Sequence, residues 1–117
     1  MKILIVDDEP AANFILSRLL KLAAPEAQIV DYTLPAKAFG DLPSIEPDVI
    51  FLDINMPDMN GWAFLDKMAK MGMNYKVIII SSTVSSVDRA KAGEYPIVNR
   101  CLSKPVRRDQ LKACLYG

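Results

Sequence analysis

Three short runs, Ile3-Leu4-Ile5-Val6, Val49-Ile50-Phe51-Leu52 and Val77-Ile78-Ile79-Ile80, are continuously apolar and mostly β-branched. Each is too short for a helix, and none alternates with polar residues as a half-buried strand does. They predict strands covered on both faces, the pattern of a parallel sheet. Gln28 to Tyr32 (QIVDY) and Val98 to Ser103 (VNRCLS) carry polar residues within the run and predict two further strands at or near the sheet edges. Between the strands the apolar period lengthens. Pro10 is placed to open a helix, Ile15, Leu16, Leu19, Leu20 and Leu22 form one apolar stripe, and Pro25 closes it. Trp62, Leu65 and Met68 or Ala69 repeat the spacing until Gly72, and Leu111, Cys114 and Leu115 do so at the end of the chain. Short helices are predicted from Ala36 to Asp41, between Pro35 and Pro43, and from Ser86 to Glu94.

Five strands alternating with five helices imply right-handed βαβ crossovers and an α/β three-layer sandwich. No repeat, linker or low-complexity segment interrupts the pattern, so residues 1–117 read as one domain. With 51% apolar residues the chain can bury a core without disulfides.

Charge narrows the range of partners. Fourteen Lys and Arg balance fourteen Asp and Glu, so no overall field recruits nucleic acid or an anionic membrane, and binding must be local. Cys101 and Cys114 form no CxxC pair and are expected to be buried small hydrophobes in a reducing cytosol. Only four apolar residues lie between Met1-Lys2 and Asp7, far short of a signal sequence, and no stretch approaches the roughly 20 apolar residues that span a bilayer. A cytoplasmic location is the expectation.

The chemistry sits where the strands stop. The first strand finishes on Asp7 and Asp8, the third on Asp53, the fourth on Ser81, and the fifth on Ser103 followed by Lys104. In an open parallel sheet the carboxyl ends of all strands lie on one edge, and ligands bind there. One acid after a buried strand is commonly a solvated loop residue or a helix cap; functional groups at four strand ends do not fit that pattern. Three convergent carboxylates repel one another, which raises a pKa or demands a cation, and folding would not assemble them without a compensating charge. Mg²⁺, for which Mn²⁺ can substitute, takes oxygen ligands from one or two carboxylates, waters and a phosphate. Zinc is excluded by the absence of histidine and of a suitable cysteine arrangement. Lys104 can neutralise phosphate oxygens and the Ser81 hydroxyl can donate to one. Metal, lysine and hydroxyl around one carboxylate make a phosphoryl-transfer site. Asp53, central among the strand ends, is the expected nucleophile, leaving the adjacent Asp7 and Asp8 to organise the metal.

The ordered set ILIVDDEP, FLDINMPDMNG, IIISS and LSKP resembles, along essentially the whole chain, the receiver domain of two-component response regulators. The resemblance implies a flavodoxin-like fold with strand order 2-1-3-4-5. It implies that Asp53 is the phosphoacceptor, that Asp7 and Asp8 organise the metal, and that the backbone carbonyl of Asn55 completes its coordination. Ser81 takes the place of the hydroxyl that swings toward the phosphoryl group, and Lys104 that of the phosphate-binding lysine, with a cis bond to Pro105. Pro57 and Gly61 shape the loop after the acceptor, and the small Ser82 keeps the site accessible. The implied protein is a bacterial phosphorelay switch that catalyses only its own phosphorylation and dephosphorylation. Its partners would be a sensor histidine kinase or histidine phosphotransfer protein and a downstream protein target, with no direct contact to nucleic acid or membrane. The readout would be a shift of the face formed by the fourth helix, fifth strand and fifth helix, in a monomer or a phosphorylation-dependent dimer.

Two departures from the family pattern stand out. Cys101 occupies the place of the usual fifth-strand aromatic, which puts the aromatic half of the switch in doubt. AGEYPIVNRC differs from the common glycine-containing entry to the fifth strand, and Tyr95 reads either as a surrogate ring or as plain packing. Met56, Met59, Met68, Met71 and Met73 read as gap filling around the third helix or as a docking surface. Arg107-Arg108 read as a solvated turn or a docking pair. The chain stops at Gly117, so it is either a stand-alone receiver or a piece of a longer regulator.

Competing functions fit less well. An aspartate-dependent phosphohydrolase needs an acid two residues after the nucleophile and a cap, whereas Asp53 is followed by Ile54-Asn55. A flavodoxin-type cofactor protein needs a hydroxyl- and glycine-rich phosphate loop after the first strand, which VDDEPAA does not offer. A phosphorylation-independent interaction module is the alternative.

Overall fold

The computed structural model describes all residues, Met1–Gly117. The elements run β1 (Lys2–Val6), α1 (Pro10–Ala23), β2 (Gln28–Tyr32), α2 (Pro35–Ile45), β3 (Val49–Asp53), α3 (Gly61–Lys70), β4 (Lys76–Ser81), α4 (Ser86–Ala92), β5 (Val98–Ser103) and α5 (Arg108–Tyr116). The strands form one parallel sheet in the order β2-β1-β3-β4-β5, so the two polar strands lie at the edges.

Alternation along the buried strands divides the core into two layers. Leu4, Val6, Ile50, Leu52, Val77 and Ile79 face α2, α3 and α4, where Leu42, Phe64, Leu65 and Met68 are fully buried. Ile3, Ile5, Val49, Phe51, Ile78 and Ile80 face α1 and α5, meeting Leu16, Leu20, Leu111 and Cys114. Burial on both faces is why these strands are apolar at every position.

The helices depart from the sequence reading in four places. In α1, Leu16 and Leu20 are buried, but Ile15 and Leu22 are each 59% exposed. A stripe facing one sheet is narrower than five residues, so Ile15 joins Phe14 in an apolar surface patch. In α3 the buried stripe is Gly61, Phe64, Leu65 and Met68; Trp62 is half-buried and Ala69 exposed. Helix α2 continues through Pro43 to Ile45 rather than stopping at Asp41. Pro43 removes only the donor toward Phe39. The helix then ends at Glu46, whose N–H donates to the Leu42 carbonyl and whose φ is 49°. Helix α4 stops at Ala92, with Gly93 as its cap, before reaching Glu94.

Cys114 is buried as expected, whereas Cys101 is half-buried; both are free thiols. Met56 and Met68 are core residues, Met59 and Met73 pack against them, and Met71 is 67% exposed. Arg107 is exposed and pairs with Asp109 at 3.0 Å.

Gly61 fixes the start of α3. Its N–H donates to the Ile54 carbonyl at 3.1 Å. A Cβ there would lie 2.7 Å from the Ile54 Cα and 2.8 Å from the Asp53 carbonyl oxygen, both backbone. Gly61→Ala is therefore expected to destabilise the protein by about 2 kcal/mol, read from the shift of its urea unfolding midpoint.

Candidate functional site

The loops after β1, β3, β4 and β5 converge on the C-terminal edge of the sheet, and the sequence-predicted residues meet there. Asp7 is 1% exposed and Asp53 4%; Asp8 is half-buried. One carboxylate oxygen from each lies within 4.8 Å of the others. The Lys104 Nζ donates to Asp7 Oδ2 at 2.6 Å and to Asp53 Oδ2 at 3.5 Å. These partners are 97 and 51 residues away in sequence.

Local turns aim the carboxylates. Asp7 Oδ1 accepts the Glu9 N–H at 3.0 Å and Asp53 Oδ1 accepts the Asn55 N–H at 2.9 Å. In each buried acid one oxygen is thus held by the chain two residues on, and the other faces the lysine. Lys104 is placed in turn by its own N–H, which donates to the Ser81 carbonyl at 2.7 Å, and its bond to Pro105 is cis. The Ser81 hydroxyl is buried and accepts from Asn55 Nδ2 at 2.6 Å. Accepting from Asn55 leaves the Ser81 O–H free to donate.

Charge in the pocket is unbalanced, with one ammonium against three carboxyl groups. Burial pushes the Asp53 carboxyl above its ordinary value, outweighing the Asn55 N–H and the Lys104 charge, while Asp7 adds to the rise. Burial alone would lower the lysine, but the Asp7 hydrogen bond and the charges of Asp53 and Asp7 together raise it. The two acids favour the ammonium, while burial is what disfavours the Asp53 carboxylate.

Because Asp53 binds its proton more tightly folded than unfolded, its ionisation costs stability. That cost is absent below the ordinary carboxylate range and appears as pH rises through the folded value. Repulsion between two carboxylate oxygens within 4.8 Å of each other is about 3 kcal/mol or more at an effective dielectric constant of about 20, and Lys104 offsets much of it. Asp53→Asn is expected to raise stability by about 1 kcal/mol at pH 7, or roughly 4 °C in Tm, in chelator. Thermal melts should show the gain shrinking toward pH 3.

The donor set consists of carboxylate oxygens, which suits a hard cation such as Mg²⁺ or Mn²⁺. The chain has no histidine, and both cysteines lie outside the cluster.

Asn13 is a part of the site's support that sequence reasoning misses. It is 1% exposed, and its Nδ2 donates to the carbonyls of Asp7 at 3.0 Å and Tyr32 at 3.2 Å, tying α1 to the ends of β1 and β2. Its Oδ1 accepts no hydrogen bond. A signal is present: Asn13 lies three and seven residues before Leu16 and Leu20, on the buried face of the helix.

A parallel 2-1-3-4-5 sheet with an acidic pocket and a lysine at its C-terminal edge defines a flavodoxin-like α/β domain with clustered carboxylates at that edge. The chain belongs to the response regulator receiver domain family of two-component systems, whose model matches residues 3–116. It is 33% identical over 92% of its length to a protein-glutamate methylesterase/protein-glutamine glutaminase of Agrobacterium fabrum, covering 31% of that protein. It is 27% identical over 98% of its length to the sensor histidine kinase RcsC of Salmonella typhi, covering 12% of it. A two-component response regulator from Cytophaga hutchinsonii superposes with a TM-score of 0.86 at 27% identity, over 96% of this chain and 91% of that one. The chain spans about a third or less of the curated relatives' length. Receiver domains bind Mg²⁺ in an acidic pocket and interact with histidine kinases and downstream effectors. No helix of this chain is long and apolar enough to cross a membrane.

Proposed function

We propose that this receiver is a phosphoacceptor switch in which Asp53 takes a phosphoryl group from a phosphohistidine on a partner kinase or phosphotransfer protein. The observation that carries the reading is the approach of Lys104, Asp7, Asp8 and Asp53 from distant parts of the chain to one pocket. Asp53 Oδ2, the oxygen facing Lys104, attacks phosphorus in line; the new P–O bond forms as the P–N bond breaks, and its electron pair returns to the partner's imidazole. Lys104 offsets charge on the phosphoryl oxygens. Asp7, Asp8, Asp53 and the Asn55 carbonyl would hold Mg²⁺, which supplies further neutralisation when bound. The added group brings about −1.5 to −2 charges and new acceptor oxygens. Ser81 donates to one of them, which biases the α4-β5-α5 face between two arrangements for a downstream partner to read. Attack by water at the acyl phosphate resets the switch.

A groove beside the site supports a surface for the partner's approach. An apolar groove of about 310 Å³ runs between α1 and the loop after β5, lined by Ile15, Leu16, Leu19, Pro105 and Val106, and Lys104 lines it as well. A segment seated there would touch Lys104, whose ammonium lies 3.5 Å from Asp53 Oδ2. Ile15→Glu is expected to slow transfer from the phosphohistidine partner by about tenfold while leaving labelling by acetyl phosphate within about twofold. Paired rate measurements with the two donors check this.

Mapping the label tests the function. An acyl phosphate is reduced by borohydride to the alcohol, so labelled protein should yield homoserine at position 53 after digestion. Homoserine elsewhere would overturn the assignment to Asp53, and none after incubation with acetyl phosphate and Mg²⁺ would leave the phosphorylation-independent module as the reading.

A further inference from the structure

The family resemblance expects an aromatic ring on β5 where this chain has Cys101, and an aromatic contact stands on other elements. Trp62, in the first turn of α3, stacks on Tyr95 between α4 and β5, with ring centroids 5.9 Å apart and planes inclined by 22°. The Lys91 ammonium of α4 lies 4.9 Å from the Trp62 ring centroid. The Tyr95 hydroxyl donates to Asp66 Oδ1, one turn further along α3, at 2.6 Å. Burial first, then Asp66, pushes that hydroxyl up to about 12, so it stays a donor at physiological pH.

Both ends of this clamp are tied to elements that matter. At one end, Gly61 packs against Ile54 too closely for any side chain and donates to its carbonyl. A displacement of the chain beside Asp53 therefore moves Trp62. At the other end, the Tyr95 N–H donates to the Ala92 carbonyl and the Tyr95 carbonyl accepts from Val98 N–H, both at 3.0 Å. Tyr95 thus joins the end of α4 to the start of β5. We propose that the Trp62–Tyr95 clamp is the relay of this chain, carrying the state of Asp53 to α4 and β5 in place of the ring missing at Cys101. The proposal rests on the phosphoacceptor reading above.

The relay differs from plain packing in one respect: breaking it uncouples the far segment from Asp53 while phosphorylation itself proceeds. The test is hydrogen exchange across residues 93–103, with and without acetyl phosphate and Mg²⁺, with intact mass read on the same samples. The parent should form the phosphoryl adduct and change its exchange in this segment. Tyr95→Leu and Trp62→Leu should form the adduct to the same extent, with the exchange change reduced at least about fivefold. Tyr95→Phe, which keeps the stack and loses the Asp66 bond, should fall between and provides the comparison should either leucine variant fail to fold. An equal exchange change in adduct-bearing parent and variants would overturn the relay alone. Absence of the adduct from the parent would overturn the phosphoacceptor reading and the relay with it.

Discussion

Lys104→Ala is expected to slow labelling of Asp53 by acetyl phosphate by about 10²- to 10³-fold at saturating Mg²⁺, the cost of removing one preorganised charge from a developing phosphoryl centre. The side chain does two jobs. It faces the Asp53 oxygen proposed to attack, and it is the partner of the buried Asp7 at 2.6 Å. The variant should therefore also be less stable in chelator, by about 3 kcal/mol, because two buried acids lose their cation. Mg²⁺ should restore more stability to Lys104→Ala than it adds to the parent. The stabilising contribution of Lys104 has a defined pH window. Its folded value lies above the ordinary 10.5, so the contribution is complete below that pH and is lost only as pH rises through the folded value. Urea unfolding at pH 7 and near pH 11 separates the cases: parent and variant should differ at the first and converge toward the second.

Asp8→Asn should produce the second large effect, a loss of Mg²⁺ affinity of at least about tenfold, since groups one shell further from a metal already cost that much. Of the three acids Asp8 is the only one not deeply buried and not paired with Lys104, so its replacement should disturb the apo pocket least. Calorimetric titration with Mg²⁺ measures the loss directly. Raising Mg²⁺ should recover much of the labelling rate in Asp8→Asn, and none of the deficit in Lys104→Ala that remains at saturation.

The sheet is legible in the sequence because its inner strands are buried on both faces, and a β-branched run of four residues suits little besides such a strand. The acids and the lysine are legible because a parallel sheet gathers its strand ends. The helix surfaces are less so. Ile15 and Leu22 fall within a plausible apolar stripe, yet only contact with the sheet decides how wide a stripe is buried, and here Leu16 and Leu20 fill it. Pro43 reads as a stop, but near a C-terminus a missing donor costs one bond, and burial of Leu42 holds the helix against the sheet. Asn13 escapes notice because a lone polar residue on a buried helix face gives no sign of the carbonyls that await it from other elements. The pairing of Trp62 with Tyr95 joins residues 33 positions apart in a geometry that no period encodes.

The proposed chemistry depends on a single pocket in which Asp53 is reactive only beside a bound cation and Lys104. The most direct measurement is the intact mass of the protein after incubation with acetyl phosphate, with Mg²⁺ or with chelator, in parent and Asp53→Asn. One phosphoryl group on the parent with Mg²⁺, and none in the other three samples, is the predicted result. Equal labelling of Asp53→Asn, or undiminished labelling of the parent in chelator, would contradict it.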